Sequence, residues 1–121
     1  MKFIPDNIYH IYNRGNNQQR IFFTRENYLF FLDKMKKELA PYCRILAWCL
    51  MPNHFHWMVY CPDSVTTSSS DRSLNSAVAV LLRSYTQAVN KQQNRTGSLF
   101  QQKTRLNALM DKIGAIFGKK I

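Results

Sequence analysis

Residues 43–60 can form little other than a β-hairpin. Cys43 to Met51 is a near-continuous apolar run of strand length, Pro52-Asn53 turns the chain, and His54-Phe55-His56-Trp57-Met58-Val59-Tyr60 follows. Both runs are rich in the residues that favour strands. Along a strand, residues i and i+2 share a face. Phe55, Trp57 and Val59 therefore share one face, and His54 and His56 the other. The apolar set has to be buried, so both imidazoles are expected on the opposite side of the sheet.

The flanking segments complete the architecture. Ile8-Tyr9-His10-Ile11-Tyr12-Asn13 has strand composition and stops at Arg14-Gly15-Asn16-Asn17, a turn signal. Thr24 can cap a helix in which Tyr28, Phe31, Leu32, Met35 and Leu39 recur at helical spacing, with Pro41 ending it. Cys43–Met51 is read as a buried strand. The Ser/Thr-rich stretch 61–73 is read as a flexible loop. Ser73 or Asp71 can cap a second helix with Leu74, Val78, Leu81, Leu82, Tyr85 and Val89 on one stripe, fading at Asn94-Arg95-Thr96-Gly97. Ser98-Leu99-Phe100-Gln101 is the candidate fourth strand. Residues 106–121 form an atypical tail, with Leu106, Leu109, Met110, Ile113 and Phe117 at roughly helical intervals broken by Gly114 and Gly118. The order β-α-β-β-α-β predicts one α+β domain over 1–121, a ferredoxin-like sandwich whose antiparallel sheet carries two helices on one face. The other face is left open.

Charge narrows the partners. Seventeen Lys and Arg oppose seven Asp and Glu, a formal +10. From Leu81 onward eight basic residues face one acid, Asp111. Such a field favours polyanions, nucleic acid first, although basic surfaces also serve solubility alone. Cys43, Cys49 and Cys61 are odd in number with no CxxC pair, so they are read as reduced, buried small hydrophobes. The apolar runs fall short of a membrane span and no leader pattern is visible, which predicts a soluble cytoplasmic protein without a membrane partner.

Two imidazoles at strand spacing can chelate one divalent ion. So short a pattern also describes idle surface histidines. In this topology the first strand lies beside the third, so His10 is expected to join His54 and His56, as a ligand or phosphate contact or as a polar contact at a strand end. Asn53 either orients a ligand or caps the turn. An ion with few protein ligands keeps positions open for phosphodiester oxygens, which suits Mg²⁺ or Mn²⁺ and leaves Zn²⁺ open.

Three blocks carry a resemblance. Tyr9-His10-Ile11-Tyr12-Asn13-Arg14-Gly15, then Trp48-Cys49-Leu50-Met51-Pro52-Asn53-His54-Phe55-His56, then Arg95-Thr96-Gly97-Ser98-Leu99-Phe100-Gln101 resemble successive blocks of the single-tyrosine HUH transposases. They are most similar to the REP-associated branch, related to the insertion-sequence-200-like enzymes. The blocks keep the family's order over roughly residues 5–105, and Met-Pro-Asn-His-Phe-His is the specific one. The resemblance implies a ferredoxin-like core, a divalent metal on His54 and His56, and single-stranded DNA, often beside a hairpin. It implies a tyrosine that attacks the scissile phosphate, leaving a 5′-phosphotyrosine and a free 3′-hydroxyl, and strand transfer by the reverse step. It also makes a homodimer an option.

One departure stands out. The family's nucleophile follows the Gly-Ser-Leu-Phe-Gln block on a helix, with a Gln or Asn ligand one turn further on, yet no tyrosine follows Tyr85 here. Two expectations follow: a truncated or decayed copy, or another residue in the role. Tyr85 is the substitute candidate, although its place on the apolar stripe also suits a core or stacking role. Candidate DNA contacts are Arg14, Arg20, Arg83, Lys91, Arg95, Lys103 and Arg105, with Tyr12 placed to stack a base. The rival reading is a ferredoxin-like module that grips single-stranded nucleic acid without chemistry.

Overall fold

The structure, a computed structural model, describes residues 3–4, 6–62 and 73–109. Asp71, the interior of the Ser/Thr-rich stretch and the tail beyond Leu109 lie outside the described residues. Strand β1 spans Asn7–Arg14, helix α1 Arg25–Lys34, β2 Arg44–Met51, β3 His54–Cys61, helix α2 Leu74–Gln92 and β4 Arg105–Ala108. The sheet runs β2-β3-β1-β4 with every neighbouring pair antiparallel. This is the ferredoxin-like order expected from the element sequence.

Local chemistry explains the helices. Thr24 accepts the Asn27 backbone N–H while the Asn27 side chain reaches back to the Thr24 N–H, a capping box that starts α1. A π-helical stretch, Met35–Leu39, continues α1 and keeps both Met35 and Leu39 buried. Ser73 caps α2 by accepting the Ser76 N–H. Both helices cover one face of the sheet. Phe31 of α1 stands 5.3 Å from Phe55, 5.9 Å from Trp57 and 4.9 Å from Tyr85 of α2, ring centre to ring centre. Phe55, Trp57 and Val59 are fully buried there, as alternation requires. Each such side chain removed from water contributes about 1.5–3 kcal/mol.

Four expectations change. The Cys43–Met51 run is not a buried strand: β2 is the sheet's edge, with Leu46, Trp48 and Met51 exposed and a register irregularity between Ile45 and Ala47. An apolar run of this length cannot tell edge from centre, because that depends on which strand arrives beside it. Cys49 shares that edge and is exposed, whereas Cys43 and Cys61 are buried. Burial pushes the Cys43 thiol up to about 12 and the Cys61 thiol to about 11, so both stay protonated and inert. Ser98–Gln101 is not the fourth strand, making only an isolated bridge from Phe100 to Gly15. Leu106 belongs to β4, where the helical spacing of the tail suggested otherwise. Pairing with β1 at Ile11 outweighs the local pattern there.

Candidate functional site

The site is built on the turn before His54, and tertiary hydrogen bonds hold that turn. Pro52 O accepts the backbone N–H groups of Ile21 (2.8 Å) and Phe22 (3.2 Å), and Asn53 O accepts that of Gly15 (2.9 Å). The buried Tyr85 hydroxyl then donates to Ile21 O at 2.6 Å. A continuous line of contacts thus runs from α2 through residues 21–22 to the turn.

Beyond the turn, register sets the face. Arg14 lies opposite His54, and Tyr12 opposite His56. Arg105, Tyr12, His56 and Cys49 form one row across all four strands. The His54 and His56 rings are 5.1 Å apart and near perpendicular. His54 Nδ1 is 2.7 Å from Asn53 Oδ1; an amide oxygen only accepts, so Nδ1 donates. His56 Nδ1 is 2.7 Å from His10 Nε2. Among the described residues, no hydrogen bond engages the Nε2 of His54 or His56. Burial, then the neighbouring His10 and His54 rings, lower the His56 pKa and favour the neutral, ligand-competent imidazole. The Tyr12 ring stacks on both His10 (4.5 Å) and His56 (5.5 Å). A cavity of about 510 Å³ opens here, lined by His54, His56, Tyr12, Arg14, Asn53 and Arg105 among others.

The residues singled out from the sequence separate into groups. His54, His56, Tyr12, Arg14 and Arg105 converge on this cavity. His10 shares the face but spends its Nε2 on His56, and among the described residues no group of three His, Cys, Asp or Glu side chains suits a metal. Arg83 and Lys103 line a second groove of about 540 Å³ between α2 and residues 98–104, and Gln101 borders both openings. Arg20 and Lys91 are exposed outside these two openings. Arg95 is a strut: its guanidinium donates to Asn90 Oδ1, to Gln19 Oε1 (2.7 Å) and to Ser98 O (3.3 Å). Gln18 and Gln101 also line the histidine cavity, a role that no sequence pattern assigns to them. Both sit on connections whose closure no local pattern announces.

Tyr85 lies on the helix side of the sheet, fully buried, with burial and nearby Tyr28 raising its pKa. Its hydroxyl faces Ile21 rather than the histidine cavity. Tyr85→Phe is expected to lower stability by about 1–3 kcal/mol, because it strips the Ile21 carbonyl of this donor. Urea unfolding checks this, and an unchanged midpoint would show the bond to be idle.

Residues 4–111 match a family model described as "Transposase IS200 like". No curated protein matches in sequence. Among solved structures, one of a REP-associated tyrosine transposase bound to a REP hairpin is similar at TM-score 0.64 and 15% identity. That match covers 89% of this chain and 59% of the other, so the chain spans less than two-thirds of that transposase. A candidate transposase from Deinococcus radiodurans R1 is similar at TM-score 0.58 and 10% identity, covering 99% of this chain and 95% of that one.

Proposed function

The chain belongs to the IS200-like transposase family, and on that premise we propose that its open sheet face binds single-stranded or hairpin DNA at a divalent metal held by His54 and His56. One observation carries the reading: two imidazoles on one face, each with Nδ1 occupied, stand in a cavity flanked by two arginines. Two imidazoles can hold a divalent ion such as Mn²⁺ while leaving most of its coordination positions for water and phosphate oxygens. Mg²⁺, which prefers oxygen ligands, would rely on those for its hold. When bound, such an ion polarises a phosphodiester oxygen and offsets the charge that builds during attack.

The chain's own residues supply the rest. Arg14 and Arg105 are exposed at the cavity and carry the charge for a phosphate on either side of the scissile one. Tyr12 offers a ring face for a base. Arg83 and Lys103 extend the path past Gln101 into the second groove. The similar REP-associated transposase was solved with a hairpin, which supports DNA of that form as partner.

In the chemistry the family resemblance implies, a tyrosine oxygen attacks phosphorus and a 3′-hydroxyl leaves. The attacking atom must come within about 3–3.5 Å of phosphorus. Tyr85, with its hydroxyl bonded in the core, does not meet that demand. This favours a second reading, in which the described domain grips and positions DNA but forms no adduct through Tyr85.

Binding and salt dependence test the proposal together. Affinity should be higher for hairpin-bearing single strands than for plain duplex. Four contacts (Arg14, Arg83, Lys103 and Arg105) predict a slope of log K on log salt of about −3, at about −0.7 per phosphate on single strands. Arg14→Ala with Arg105→Ala should bring the slope to about −1.4. A flat salt response would show the positive charge to be merely solubilising. Incubation with Mn²⁺ and labelled hairpin DNA, followed by denaturing electrophoresis and mass spectrometry, should reveal no phosphotyrosine at Tyr85. An adduct there would overturn the assignment of Tyr85 to the core.

A further inference from the structure

We propose that His10 is a positioning residue that fixes the tautomer and ring plane of His56, so that Nε2 of His56 presents a lone pair to the cavity. The inference rests on the reading of His54 and His56 as the metal-holding pair and assigns His10 a task different from ligation.

A single proton lies between His10 Nε2 and His56 Nδ1, 2.7 Å apart. Two neutral arrangements are available. If His10 donates, His56 carries its own proton on Nε2, and its outward nitrogen cannot bind a cation. If His56 donates from Nδ1, its Nε2 lone pair is open. Asn53 resolves the same choice for His54, because its amide oxygen only accepts. The second arrangement therefore gives both histidines one polarity: Nδ1–H held by a neighbour, Nε2 outward.

Register explains why His10 reaches His56. His10 pairs directly with Met58, and His56 lies two residues away along β3, the diagonal position on the same face. An imidazole spans that diagonal. Tyr12, directly opposite His56, then lies against both rings at interplanar angles of 21° and 22°. The stack opposes rotation of either imidazole. Partners of this kind orient metal-binding histidines and raise their basicity, and losing one typically weakens metal affinity about 10–100-fold.

The test separates His10 from the metal. In ¹⁵N-labelled, metal-free protein at mildly alkaline pH, two-bond ¹H–¹⁵N spectra report each tautomer. The expected result is Nδ1-protonated His54 and His56. Calorimetric titration with MnCl₂ then compares wild type, His10→Gln and His10→Phe, with circular dichroism confirming the fold of each. Glutamine keeps an acceptor near the Nε2 position and should retain most of the affinity, whereas phenylalanine keeps a ring without an acceptor and should weaken Mn²⁺ about 10–100-fold. An Nε2-protonated His56 in the wild type, or wild-type affinity in His10→Phe, overturns the role of His10. Wild-type protein that binds no Mn²⁺ overturns the metal reading instead, while the tautomer spectrum still decides whether His10 sets His56.

Discussion

Gly15→Ala is expected to be among the most damaging single substitutions outside the aromatic core, although it adds one methyl group. A Cβ at position 15 would stand 1.9 Å from the Gln19 carbonyl oxygen and 2.9 Å from its carbon. Those are backbone atoms, so no side-chain rotation relieves the overlap. Gly15 has φ of −62°, a value any residue adopts, so the effect comes from contact rather than from backbone preference. The 3₁₀ turn Asn16–Gln18 would have to open, and it is closed by bonds from Gln18 and Gln19 back to Gly15 and Asn16. Gly15 also donates to Asn53 O and bridges Phe100. The disturbance therefore reaches the His54 turn and the segment leading to β4. The expected loss is about 3 kcal/mol, the upper end for overpacked sites. In a domain of this size that lowers the melting temperature by on the order of 10 °C. Calorimetry checks it, and a melting temperature equal to wild type would mean that residues 16–19 move aside freely.

The second large effect is chemical. Replacing His54 and His56 together by alanine should leave the fold intact, because both rings are only half-buried and lie on the face the helices do not cover. Mn²⁺ affinity should fall by more than about 100-fold, exceeding what loss of a supporting partner alone produces. Titration calorimetry and thermal unfolding on the same samples separate lost binding from lost structure. Unchanged Mn²⁺ binding would remove the metal assignment.

Acid should imitate the substitution. The His56 pKa is lowered, so the folded state releases its proton more readily than the unfolded chain. Protons therefore favour unfolding, and the His56 contribution to stability is present at neutral pH and is lost as pH falls below the ordinary histidine value. Protonation also occupies the ligand nitrogen, so Mn²⁺ binding should weaken over the same acidic range. Alanine at position 56 should flatten this part of the pH profile.

The face of the histidines was legible from residues 54–60 alone, because strand alternation is a property of the backbone and needs no partner. The cap at Thr24, a cap for α2 at Ser73 or Asp71, and the buried stripe of α2 were legible for the same reason, since they arise within one or two turns of chain. Tertiary structure decided what depends on neighbours. Whether Cys43–Met51 is covered depends on strand order, and the chain leaves it at the edge. Whether Ser98–Gln101 or Arg105–Ala108 becomes β4 depends on which backbone meets β1, a contact some ninety residues distant in sequence. Arg95 braces its connection because Gln19, Asn90 and Ser98 converge on it only after folding. The bond from His10 to His56 spans 46 positions, and the stacking of Tyr12 on both rings needs β1 and β3 paired in one register. Local chemistry thus chose the reactive groups and their side of the sheet, whereas long-range pairing chose which of their nitrogens are engaged, because a hydrogen bond needs two partners brought within 3 Å.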